Sequence, residues 1–114
     1  MTASAARLST HVLDTGRGSP APGVPVTVFR QDGSELRAVG NGVTDDDGRI
    51  ADLLDGDMPL TPGWYRIVFD LAPYYASQRH FFSRVTLDFS VAEPRNHHVP
   101  LLVSTYGCTS YRGS

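Results

Sequence analysis

The octet Arg84–Val91, RVTLDFSV, constrains the fold more tightly than any other stretch. Val85, Leu87, Phe89 and Val91 alternate with Arg84, Thr86, Asp88 and Ser90. Successive side chains of a strand point to opposite faces, so this alternation puts an apolar stripe on one face and a polar stripe on the other. A strand of this kind is stable only when a second apolar layer covers it. The rest of the chain offers such layers. Residues 7–14 read as a strand, and Val24–Arg30 carries Val24, Val26 and Val28 on one face. Glu35–Thr44 is a strand weakened near Gly40 and Gly42, and Arg49–Leu54 a shorter one. Trp64–Asp70 presents Tyr65, Ile67 and Phe69 together, and His97–Thr105 presents Val99, Leu101 and Val103.

Turn signals separate these segments. Thr15–Gly23 is dense in Gly and Pro, Gln31-Asp32-Gly33 is a turn, and Asp45-Asp46-Asp47-Gly48 is a second tight one. Leu71–Arg79 is the one plausible helix, about two turns long, with Pro73 suited to its first turn. The sum is an all-β chain of two packed antiparallel sheets with one short helix. The 114 residues suffice for one domain and not two. Residues 1–6 are expected to be a disordered N-terminal segment, and residues 7–114 the single domain.

Composition narrows the function classes. Cys108 is the sole cysteine, so no internal disulfide framework exists, which fits a reducing compartment. The net charge of −2 gives no reason to expect nucleic acid or an anionic membrane as a partner. All 10 basic residues are arginine, which excludes a Schiff-base lysine and a phosphate-binding Walker lysine. No apolar run approaches the ~20 residues that span a bilayer. Met1–Ala6 lacks the apolar core of a secretory signal, and Tyr111–Ser114 match no C-terminal address. The expected location is the cytoplasm.

Alternation also aims the histidines. With Val99, Leu101 and Val103 inside, His98 faces outward with Pro100, Leu102 and Ser104. With Leu8 and Val12 inside, His11 faces outward with Ser9 and Leu13. Leu13, Pro100, Leu102 and Tyr106 are apolar for a solvated face, which suggests cover by another subunit. At the rim of such a face an imidazole can be kept neutral and act as a base. Metal chemistry finds no support: neighbouring His97 and His98 diverge, and an alignment of Gly48 with a calcium loop leaves Val43 and Leu54 at ligand positions. Gly18-Ser19-Pro20 is not a nucleophile elbow.

Three stretches carry a family resemblance. Leu8-Ser9-Thr10-His11-Val12-Leu13-Asp14, followed by Gly16, Pro22-Gly23 and Val24-Pro25-Val26, resembles the opening signature of the hydroxyisourate hydrolases of the transthyretin-like family. His98-Val99-Pro100-Leu101-Leu102-Val103-Ser104, followed by Tyr111-Arg112-Gly113-Ser114, resembles the closing one. Thr44-Asp45-Asp46-Asp47-Gly48-Arg49 resembles the family's turn and arginine. The terminal tetrapeptide is the most specific piece and sets the hydrolases apart from the hormone carrier transthyretin. The sequence departs from the pattern at His97 and Cys108, where tyrosines are expected, and at Thr105, where proline is. His97 lies off the face of His98, and Cys108 either lines the pocket or packs.

The resemblance implies a transthyretin-like sandwich and an enzyme of urate breakdown. The implied reaction is hydrolysis of the lactam bond of 5-hydroxyisourate, giving 2-oxo-4-hydroxy-4-carboxy-5-ureidoimidazoline. It further implies catalytic roles for His11, Arg49 and His98, and a pocket closed by Tyr111, Arg112, Gly113 and Ser114. The implied assembly is a homotetramer with sites in the channel between dimers, and no metal or organic cofactor is called for. Which histidine is the base stays open. The competing readings are a non-catalytic small-ligand carrier on the same fold and an immunoglobulin-type adhesion sandwich.

Overall fold

The structure, a computed structural model, describes residues 6–113. Residues 1–5 of the expected N-terminal segment and Ser114 lie outside the described residues. Ala6 is not part of a loose lead-in: it is buried, and its carbonyl accepts the Leu60 N–H at 3.0 Å.

Nine strands and one helical turn follow in order. They are β1 Leu8–Asp14, β2 Ser19–Pro20, β3 Pro25–Asp32, β4 Glu35–Val43, β5 Arg49–Ile50, β6 Gly63–Asp70, α1 Ala72–Tyr75, β7 Arg84–Val91, β8 His97–Ser104 and β9 Gly107–Ser110. One sheet runs β4-β3-β6-β7. The other runs β2-β1-β8-β9, with β5 also on β1. All pairings are antiparallel except β1 with β8, which is parallel from Leu8↔His97 to Asp14↔Val103. The expected two-sheet antiparallel sandwich is the fold, with this one parallel pairing within it. The cause is topological: β8 arrives by a crossover from the other sheet, so no hairpin dictates its direction relative to β1.

The two inner faces meet in one core. Leu8, Val12 and Leu101 from one sheet, and Val26, Ile67 and Phe69 from the other, are at most 1 % exposed. Each such side chain contributes roughly 1.5–3 kcal/mol by leaving water. Asp14 is the polar member at the end of β1. Its carboxylate accepts Tyr74 O–H at 2.8 Å and the Gly16 and Arg17 N–H groups at 3.0 and 3.1 Å.

Two elements are shorter than the sequence suggests. The helix stops at Tyr75 because Ala76 takes φ 52° and ψ −116°, outside the helical basin. The strand from Arg49 ends at Ile50, and Asp52 Oδ1 accepts the Leu54 N–H at 3.2 Å in a local turn. Two elements are additional, β2 and β9, so Cys108 belongs to an edge strand and is exposed.

Candidate active site

The outward face of β1 and β8 is built by paired registers. Ser9 lies beside His98, His11 beside Pro100, and Leu13 beside Leu102. On the other side of β1, Arg49 is the antiparallel partner of His11. Partners across a ladder point to the same face, so His11, His98 and Arg49 converge at one end of it. Leu13 and Leu102, both half-buried, occupy the other end.

The turn before β5 is locked by its own side chains. Asp45 Oδ1 accepts the Asp47 and Arg49 N–H groups, each at 2.9 Å. Gly48, at φ +75°, is buried against β1 and gives its carbonyl to the Val12 N–H at 2.7 Å. A Cβ there would overlap the Val12 carbonyl oxygen, so only glycine lets the turn approach so closely. The approach brings the Asp47 carbonyl to His11 Nε2 at 2.8 Å. A carbonyl oxygen only accepts, so His11 Nε2 carries the hydrogen. In the neutral ring, Nδ1 is then the nitrogen with the free lone pair.

His98 is held differently. Nδ1 lies 2.8 Å from Ser9 Oγ. Its carbonyl accepts the Gly113 N–H at 2.8 Å, and the two residues form a bridge. A Cβ on Gly113 would sit 2.6 Å from His98 Cδ2, so the chain passes directly against the ring. Burial, and then the neighbouring His11 and Arg49, push the His98 pKa below the ordinary imidazole value. The ring is thereby kept neutral at physiological pH.

Two open clefts meet at His98. The first, of about 600 Å³, is lined by Ser9, Asp45, Arg49, Asn96 and His98. The second, of about 370 Å³, lies between β7 and the tail, with Leu87, Phe89, Tyr111 and Arg112 on its walls. Among the described residues neither Arg49 nor Arg112 has a carboxylate within ion-pairing range. Two free guanidinium groups flanking a neutral imidazole suit a planar anion and the negative charge that develops on a carbonyl oxygen under attack.

Of the residues expected from sequence, His11, Arg49 and His98 share this end of the face. Tyr111 and Arg112 line one of the clefts together with His98, and Gly113 is bonded to its backbone. Ser114 lies outside the described residues. His97 is buried on the core side, with Nδ1–H donating to the Arg95 carbonyl at 2.7 Å, and it contributes to the walls of both clefts. Three participants were not singled out from sequence: Ser9, the Asp47 carbonyl and Asn96. Ser9 shares the outward face with His11 by simple alternation, and that was the one signal available.

Comparison with known proteins places this geometry. A sequence profile described as the HIUase/Transthyretin family matches residues 8–113. The chain is 42 % identical over 114 residues to a 5-hydroxyisourate hydrolase of Caulobacter vibrioides, covering 94 % of this chain and 97 % of the relative. The solved 5-hydroxyisourate hydrolase of Klebsiella pneumoniae is similar at a TM-score of 0.84 and 34 % identity, over 96 % of this chain and 99 % of that one. Sea bream transthyretin, solved in complex with thyroxine, is similar at a TM-score of 0.84 and 27 % identity, over 94 % of each chain.

Proposed function

This chain belongs to the HIUase/transthyretin family, and from that premise we propose that it hydrolyses the lactam bond of 5-hydroxyisourate. The observation that carries the proposal is the pair of outward histidines, each fixed by a hydrogen bond, beside Arg49, which has no ion-pair partner among the described residues. Hydrolysis needs an activated water, a stabilised oxyanion and a proton for the leaving nitrogen. We assign the water's proton to His11 Nδ1, the lone pair left free by the Asp47 carbonyl. The hydroxide attacks the lactam carbonyl carbon, and Arg49 holds the oxyanion. The C–N bond breaks as the ring nitrogen takes the proton held on His11, neutral His98 serves as a hydrogen-bond donor to the substrate, and the new carboxyl gives its proton to solvent and leaves as a carboxylate. General acid–base catalysis of this kind supplies on the order of 10²–10⁴-fold. Arg112 and Tyr111 would hold the planar anionic ring, and Ser114 would orient the water or the substrate.

We place the site in a homotetramer, because the half-buried Leu13 and Leu102 continue its face and such a patch suits a symmetric partner. Light scattering at micromolar protein tests that assembly. We place the protein in the cytoplasm on its single cysteine. No described helix is long and apolar enough to cross a membrane. The carrier reading keeps the fold and predicts binding of a planar aromatic ligand without turnover. Fresh 5-hydroxyisourate, generated with urate oxidase, separates the two: a hydrolase speeds its decay in proportion to protein added, and a carrier does not.

A further inference from the structure

Ser9 and His98 are direct partners in the parallel ladder, although 89 residues separate them in sequence. At 2.8 Å the contact is a full hydrogen bond. The serine hydroxyl has one hydrogen, and among the described residues Nδ1 is its only hydrogen-bond partner. If Oγ accepted from Nδ1–H instead, that hydrogen would be left without a protein acceptor. Donation to the Nδ1 lone pair uses both groups.

The opposite edge of the ring is closed by Gly113, against Cδ2. A half-turn about Cβ–Cγ exchanges Nδ1 and Cδ2. It would set a C–H against the Ser9 hydroxyl and lose the bond. We propose that Ser9 is the positioning residue of His98: its hydroxyl donates to Nδ1, fixes the ring's rotamer and tautomer, and so turns Nε2–H into the cleft as a hydrogen-bond donor to the substrate. The Asp47 carbonyl sets the reverse tautomer on His11, with the hydrogen on Nε2. One ring then offers a lone pair and the other an N–H, so the base and the hydrogen-bond donor are differentiated by one backbone carbonyl and one side-chain hydroxyl. This inference rests on the hydrolase reading above.

The test uses the full chain as wild type, Ser9→Ala and Ser9→Thr. Nitrogen NMR of histidine-labelled protein reads the tautomer without substrate, and hydroxyisourate kinetics read its consequence. In wild type, His98 carries its hydrogen on Nε2. Ser9→Ala mixes the two tautomers and lowers kcat on the order of 10-fold, with KM changed by less than about twofold. Ser9→Thr keeps the hydroxyl, suits a strand, and restores the single tautomer and most of kcat. A wild-type hydrogen on Nδ1 overturns the proposal. So does a Ser9→Ala chain in which the tautomer or kcat alone changes, or neither. A Ser9→Thr chain as slow as Ser9→Ala also overturns it, since the hydroxyl is then not the operative group. Absence of wild-type turnover overturns the hydrolase reading instead, and the nitrogen signals tell the two failures apart.

Discussion

Replacing Gly113 by alanine adds one methyl group where the tail crosses the His98 ring. The new Cβ would lie 2.6 Å from Cδ2 and 3.2 Å from both Cβ and Cγ of His98. Carbon atoms rest at about 3.5–4.0 Å, so ring and tail must separate by roughly 1 Å. If the ring recedes, it is pressed towards Ser9 on its opposite edge, and the 2.8 Å hydrogen bond there loses its geometry. If the tail recedes, the 2.8 Å bond from Gly113 N–H to the His98 carbonyl is lost. Either loss costs about 1 kcal/mol of stability. The catalytic effect is larger, because a 1 Å misplacement of an aligned group costs on the order of 10²-fold. Gly113 does not have a positive φ, so alanine brings no backbone penalty to confuse the result. We expect kcat/KM for hydroxyisourate to fall about 30- to 100-fold. The melting temperature should drop by less than about 5 °C. Activity within about threefold of wild type would refute the reasoning, because the tail would then not bear on the ring. Loss of folding would refute it too, since Gly113 would be a core element rather than a guide for His98.

Other expectations follow from the same geometry. His11→Ala, Arg49→Ala and His98→Ala should each lower kcat on the order of 10²-fold or more, with circular dichroism and melting near wild type, because all three face away from the core. The His98 ring should titrate below the ordinary imidazole value of ~6.5 when followed by nitrogen NMR, because burial and then His11 and Arg49 depress its pKa. Arg49→Gln removes a neighbouring cation, so the His98 titration should move upward in that variant. The same shift has a stability sign: as pH falls from ~6.5 towards the folded pKa, the unfolded chain takes up this proton first, so stability declines, and His98→Ala should flatten the decline seen by urea unfolding. Ala76→Gly should raise unfolding stability by about 1 kcal/mol in the same assay, because alanine at φ 52° and ψ −116° is strained and glycine is not.

The sequence was legible where one strand face differs sharply from the other. Arg84–Val91 was bounded to the residue because its apolar and charged positions never overlap. The outward aim of His11 and His98 followed from the same alternation. β9 was not legible: Gly107-Cys108-Thr109-Ser110 has no apolar stripe, and it is a strand because its backbone pairs with β8 from Ser104 to Leu101. The helix was overextended because a positive φ at Ala76 leaves no compositional trace. The parallel register of β1 and β8 was beyond local pattern, since it joins segments from opposite ends of the chain. Within the site, residue types carried the histidines and Arg49 but not their tuning. Every residue has a carbonyl, so nothing marked that of Asp47 as the partner of His11. Ser9 became visible only once its neighbour across the ladder was known.

That parallel ladder also bears on how the molecule comes into being. β1 is synthesised before the strand it needs, which follows 89 residues later. Pairings of such separation are slow to form, because the chain entropy of closing the loop is lost before any contact returns it. Until β8 arrives, one long edge of β1 is unpaired and open to association with other chains. The Ser9–His98 contact and the tail bridge both lie on β8 or beyond it, so they can exist only after this closure. With the proposed site, a form that lacks this closure would not turn over substrate. Recovery of hydrolysis during refolding is a stricter gauge of the finished topology than recovery of strand content, and the lag between the two signals measures the time β1 spends exposed.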